Sequence, residues 1–169
     1  MSFSPFGSFF SNVMENVVKP EVTIKQIVKR IQKSIRWSRR YPVKGDHIRV
    51  RRLWGYYHHG IYVSDNEVIH YNTTGAGDGL LGDAKVLRTD LYDFLEGAVC
   101  EVRNYSFLEK GSLFSPGIIV KRARSELGKG GYNLVFNNCE HFANWCMIGM
   151  KRSEQVEDIF DVINDRVLR

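Results

Sequence analysis

The stretch GYYHHGIYVSDNEVIHY, residues 55–71, constrains the fold most, because two runs rich in Ile, Val and Tyr flank Ser64-Asp65-Asn66. Such a pattern predicts an antiparallel β-hairpin. A three-residue loop with Asn66 in the left-handed position pairs Val63 with Glu67 and Gly60 with His70. His58 then lies diagonal to His70 on one face, and Gly60 has no side chain to stand between them. His59 faces the other way. A two-residue loop would instead send His58 and His70 to opposite faces, since side chains alternate along a strand.

The surrounding chain has the same short-strand texture. HIRVRR alternates from His47, and GAVCEVRNY reads as a further strand. SPGIIVKRARSELGKGGY reads as a helix, with Ser115 as cap, Pro116 in the first turn and Gly128 as stop. The glycine-rich TTGAGDGLLGD (73–83) lacks phosphate-loop spacing and reads as a connector. The polar C-terminal stretch, with Val156, Ile159, Phe160 and Ile163 at helical spacing, predicts a last helix. One chain of 169 residues, 43% apolar, suits a single domain with a real core.

FNNCEHFANWC (136–146) carries the chemistry. Asn138 is a good N-cap, which puts Cys139 at the first helical position, where unpaired amides and the helix dipole favour a thiolate. A buried, inert cysteine is the competing reading. His141 is a poor base: two residues along a helix is roughly 200° of rotation, so its ring turns away from the sulfur. A structural or capping role suits it better. A zinc site from Cys139, His141 and Cys146 lacks paired-cysteine spacing, and no metal or cofactor is expected. A base must come from elsewhere, and the His58–His70 pair supplies one ring to take the thiol proton and a second to hold the first.

Charge is uneven within the net +5. Lys19, Lys25, Lys29, Arg30, Lys33, Arg36, Arg39 and Arg40 face a single acid, Glu21, while Ile24, Ile27, Val28, Ile31 and Ile35 form one helical face that Trp37 closes. Two uses fit this N-terminal amphipathic helix. It packs its Ile face on the core, or it lies on an anionic membrane with Lys25, Lys29, Arg30, Lys33 and Arg36 among the headgroups. No aromatic-interleaved basic groove suggests nucleic acid. Three irregularly spaced cysteines favour a reducing compartment, and no apolar run approaches about 18 residues, so a cytoplasmic protein, peripheral to membranes at most, is expected.

Together YYHHGIYVSDNEVIHY and FNNCEHFANWC resemble the lecithin–retinol acyltransferase family, which includes the phospholipase/acyltransferases of the HRAS-like-suppressor type. The resemblance runs from about Lys44 to Gly149, giving a basic segment 1–43, a catalytic domain 44–150 and a helical extension 151–169. It implies an α+β, circularly permuted papain-like, NlpC-related fold with an antiparallel sheet packed against helices. It also implies Cys139 as nucleophile, His58 as general base, His70 as the group orienting His58, and Tyr56 as a candidate on the oxyanion side. The implied substrates are acyl esters of glycerophospholipids, with an acyl-thioester on cysteine passed to water, an alcohol or an amine. A cysteine peptidase or amidase on the same scaffold, and a non-enzymatic membrane-binding module, are the alternative readings.

Overall fold

The computed structural model describes residue 31 and residues 36–52, 55–73, 84–131, 138–154, 156–158 and 160–161. Six strands form one antiparallel sheet: β1 (Trp37–Ser38), β2 (His47–Arg51), β3 (Tyr57–Ser64), β4 (Glu67–Thr73), β5 (Ala84–Thr89) and β6 (Glu101–Arg103), in the order β1-β6-β2-β3-β4-β5. Among the described residues these helices are interleaved: α1 (Leu91–Leu95), α2 (Phe107–Lys110), α3 (Pro116–Ser125) and α4 (Cys139–Ile148). An antiparallel sheet with helices on it is the α+β architecture expected. The stretch predicted as GAVCEVRNY contracts to the three residues of β6, and β1, β5, α1 and α2 carried no legible signal. Trp37 does not close a helical stripe. It is extended in β1, opposite Arg103. Of the rest of the amphipathic stretch, Ile31 is helical and exposed, while Lys25, Lys29, Arg30 and Lys33, and the glycine-rich connector beyond Thr73, lie outside the described residues.

The central hairpin reaches the expected pairing by another route. Gly60 faces His70, but Ser64, not Val63, faces Glu67. The loop is therefore the two residues Asp65-Asn66, and Val63 is the extra residue of a bulge between Tyr62 and Ser64. The bulge restores the parity that a two-residue loop alone would reverse. The turn is pinned from outside: the Asp65 carboxylate accepts from the Tyr62 hydroxyl at 2.6 Å and from that of Tyr41, and its carbonyl accepts from the Leu91 amide at 2.7 Å.

Both faces of the sheet are covered. On one, Ile61, Ile69, Tyr71 and Val86 pack against Ile119 and Ala123 of α3 and Cys139, Phe142, Ala143, Cys146 and Met147 of α4. On the other, Ile48, Val50, Tyr62, Val68 and Val102 pack against Leu91 and Phe94 of α1. Burying each such aliphatic or aromatic side chain contributes about 1.5–3 kcal/mol. This explains how a helix as short as α1 stays docked. The alternation of HIRVR accordingly does not separate core from solvent. Arg49, 6% exposed, lies between the Trp37 and Tyr57 rings, its guanidinium carbon 3.9 and 3.7 Å from their centroids, and bonds Glu101 at 2.8 Å.

Gly60 is where the second layer comes closest. A Cβ there would meet Phe94 Cε2 at 3.0 Å, Val68 Cγ1 at 3.1 Å and His70 Cβ at 3.3 Å. Gly60→Val is therefore expected to destabilise the protein by about 1–3 kcal/mol through overpacking, read as a lower midpoint in chemical denaturation. Wild-type stability in that variant would contradict the close packing described.

Candidate active site

Asn138 opens α4 as expected. Its side-chain oxygen accepts from the amides of Glu140 (2.9 Å) and His141 (3.0 Å), and the His141 ring Nδ1 accepts from the Asn138 amide at 3.3 Å. This reciprocal cap is the structural role read for His141. Gly149, at φ 80°, ends the helix. The chain beyond α4 then folds back onto its start. Ser153 donates to Glu140 Oε2 at 2.7 Å and accepts from Asn138 Nδ2 at 3.3 Å. Ser153 and Glu140 escaped the sequence reading, since a contact made 13 or 15 residues away leaves no local signature.

Cys139 is 2% exposed. Its thiol donates to the Tyr57 carbonyl at 3.8 Å, and the His59 amide is directed at the sulfur. Tyr57 and His59 flank His58. The alternation of β3 shows which edge this is. The Tyr62 amide and carbonyl bond Asp46 and Gly45 on the β2 side, so the odd-numbered positions turn theirs toward β4. The β3–β4 ladder ends at Gly60–His70. The sulfur thus sits where β4 parts from β3, in the opening at the end of the ladder.

The two histidines meet as expected. His58 Nε2 lies 2.8 Å from His70 Nδ1, with their rings edge-on. His70 Nδ1 is also 3.0 Å from the Tyr71 carbonyl, and its Nε2 is 2.9 Å from the Thr89 hydroxyl. Phe94 closes over both rings, 5.4 Å from His58 and 5.1 Å from His70. This pair therefore projects from the Phe94 face of the sheet, while the body of α4 packs on the other. The thiol hydrogen bond runs to a carbonyl and not to an imidazole.

Electrostatics keep all three groups neutral. Burial pushes the Cys139 thiol up to about 12, outweighing the His59 amide and those at the helix start, so the thiolate favoured by the helix N-terminus is not the resting form. Burial also pulls His70 down to about 4, against the Tyr71 carbonyl, with Arg52 adding to the lowering. His58 lies well below its ordinary value, through burial and then the charges of His70 and Arg52.

His59 faces away from His58, as expected, and finds a partner of its own. His47 Nε2 is 2.8 Å from His59 Nδ1, and His47 Nδ1 is 3.2 Å from the Tyr105 hydroxyl. The Trp37 ring stands edge-on to both. This second pair follows from the β2–β3 register, which puts Arg49 opposite His59 and His47 opposite Ile61. Tyr56 lies half-buried in the turn before β3, its carbonyl accepting from the Arg52 amide at 2.9 Å. Arg36, the one described residue of the five read as headgroup contacts, pairs with Glu154 at 2.6 Å.

The sequence profile of the family described as lecithin retinol acyltransferase matches residues 40–152. Lecithin retinol acyltransferase of Mus musculus is 30% identical over 142 residues, covering 72% of this chain and 61% of that protein. Phospholipase A and acyltransferase 4 of Homo sapiens is 34% identical over 126 residues, covering 69% and 76%. Phospholipase A and acyltransferase 2 of Homo sapiens is 32% identical over 128 residues, covering 70% and 78%. The match thus spans about three fifths of the mouse acyltransferase.

His70, neutral when folded with a value of about 4, titrates near 6.5 in an unfolded chain. Between those values the unfolded state binds a proton that the folded state does not, so stability falls as pH drops through 6.5 toward 4. His70→Asn is expected to flatten that slope in denaturation midpoints measured from pH 7 to 4.5. An unchanged slope would show that His70 is not held neutral.

Proposed function

Because the chain belongs to the lecithin retinol acyltransferase family, we propose that it is a cysteine-dependent phospholipase/acyltransferase with Cys139 as nucleophile, His58 as base and His70 as the group that orients His58. The observation that carries this reading is the position of the sulfur against the backbone on either side of His58, while His58 gives its Nε2 to His70. On this reading His58 Nδ1 is the nitrogen left to take the thiol proton. The histidines precede the cysteine in the chain, the order of a permuted papain-like arrangement.

Rotation of the thiol from the Tyr57 carbonyl toward His58, through the opening beside β3, begins the reaction. As sulfur attacks the ester carbonyl carbon, the thiol proton passes to His58 Nδ1. A neutral thiol and a neutral imidazole suit transfer during attack, not a preformed ion pair. The tetrahedral oxyanion is met by amides at the start of α4, with Tyr56 as a second donor. Collapse breaks the carbon–oxygen bond, and His58 returns its proton to the departing lysophospholipid oxygen. The acyl-thioester on Cys139 is then attacked by water, an alcohol or an amine, His58 taking the proton of the incoming group and handing it to the sulfur as the carbon–sulfur bond breaks. The names of the relatives, which mention lecithin, phospholipase A and acyltransferase, support a phospholipid ester as acyl donor.

Incubation with phosphatidylcholine vesicles is expected to yield an intact-mass increase of one acyl group, absent in Cys139→Ala, with release of fatty acid or lysophospholipid. His58→Gln is expected to abolish turnover, and His70→Gln to reduce it by roughly 10²–10⁴-fold. Neither adduct nor released fatty acid from phospholipid, alongside cleavage of a peptide substrate, would transfer the site to amide hydrolysis.

A further inference from the structure

The contacts of His70 contain a conflict that only one neighbour resolves. Its Nδ1 faces two groups, His58 Nε2 at 2.8 Å and the Tyr71 carbonyl at 3.0 Å. A carbonyl only accepts, so Tyr71 favours a proton on His70 Nδ1. In that tautomer His58 Nε2 must accept, the His58 proton moves to Nδ1, and on the acyl-transfer reading the nitrogen left for the thiol cannot act as a base. The competent arrangement is the reverse. His58 donates from Nε2, His70 Nδ1 accepts, and the His70 proton lies on Nε2, which needs an acceptor. That acceptor is the Thr89 hydroxyl, 2.9 Å away. By accepting from Nε2–H the hydroxyl offsets the pull of the Tyr71 carbonyl on Nδ1, which a side chain without an oxygen could not do.

We propose that Thr89 is a positioning residue that sets the tautomer of His70, and through it the base competence of His58. The inference rests on the acyl-transfer reading above for its kinetic consequence, not for the tautomer itself.

The fold holds Thr89 in place from two sides. It pairs with Val68 at the end of β5, and the next residue, Asp90, caps α1 by accepting from the Asp93 amide at 2.7 Å. Threonine is stiff at χ1, so its hydroxyl is presented with little loss of freedom. His70 itself is 2% exposed, which keeps water from substituting easily for the hydroxyl. The charged or titratable groups facing the pair are Arg52, which spends its guanidinium on the Phe94 and Leu95 carbonyls and Glu96, and the two imidazoles themselves; α1 presents Phe94.

The experiment compares wild type, Thr89→Val, which keeps the shape and removes the hydroxyl, and Thr89→Ser, which restores it. Imidazole ¹⁵N NMR, which separates protonated from bare ring nitrogens, is expected to show His70 moving toward the Nδ1–H form in Thr89→Val and returning in Thr89→Ser. On phosphatidylcholine vesicles, Thr89→Val is expected to lose roughly tenfold or more in kcat with little change in KM, and Thr89→Ser to recover most of it. An unaltered His70 tautomer in Thr89→Val, or a Thr89→Ser protein no better than Thr89→Val, would overturn the proposal. Absence of turnover by wild type would defeat the acyl-transfer reading instead, and the NMR comparison would still decide the role of Thr89. Should Thr89→Val fail to fold, Thr89→Ser against Thr89→Ala by the same two readouts carries the test.

Discussion

Everything at the site depends on where the hydrogen-bonded ladder between the two central strands stops. Through Gly60–His70 the strands hold one another; beyond it they part. The backbone groups at that point take up other partners. On β4 the Tyr71 carbonyl contacts the His70 ring, and on β3 the Tyr57 carbonyl and His59 amide meet the sulfur of Cys139. A helix start can enter a sheet only where the sheet opens, because a closed ladder leaves no room beside the backbone. The opening therefore determines both the place of the Cys139 sulfur and the orientation of the His70 ring.

Burial gives this arrangement its chemical character. A helix N-terminus lowers a thiol pKa, but only where the sulfur keeps some contact with water or positive charge. Cys139 has neither in the resting protein, and desolvation dominates. The same desolvation holds His58 and His70 neutral. On the proposed reading, a neutral thiol and a neutral imidazole exchange a proton during attack and not before it. The reciprocal cap of Asn138 and His141, backed by Ser153, keeps the helix start rigid while this waits.

The hairpin shows how far local reasoning reached. Gly60 opposite His70 was derived from a three-residue loop, and the structure makes the same pairing from a two-residue loop and a bulge at Val63. Both insert one extra residue, and parity responds only to the count. Local rules also located the helix start at Cys139, its end at Gly149 and the capping role of His141. They failed at Trp37, read as the end of a helical stripe and found in an edge strand, because a two-residue strand exists only through its partner β6. His47 and Arg49, on the polar face of HIRVR, are buried for a similar reason. Arg49 and His47 are accommodated by Trp37, Tyr57, Glu101, His59 and Tyr105, residues remote in the chain.

By itself, the sequence determined the elements whose information is short-range: the hairpin and its histidine pair, the capped helix that begins with the cysteine, and the family these two motifs share. Turn chemistry, capping and alternation act over a few residues and can be read there. Only the tertiary structure decided that the sulfur enters the sheet beside His58, that the thiol and imidazoles are neutral, and that Thr89 stands behind His70. Each of these depends on strand register or on exclusion of water, and both arise only when distant segments pack together.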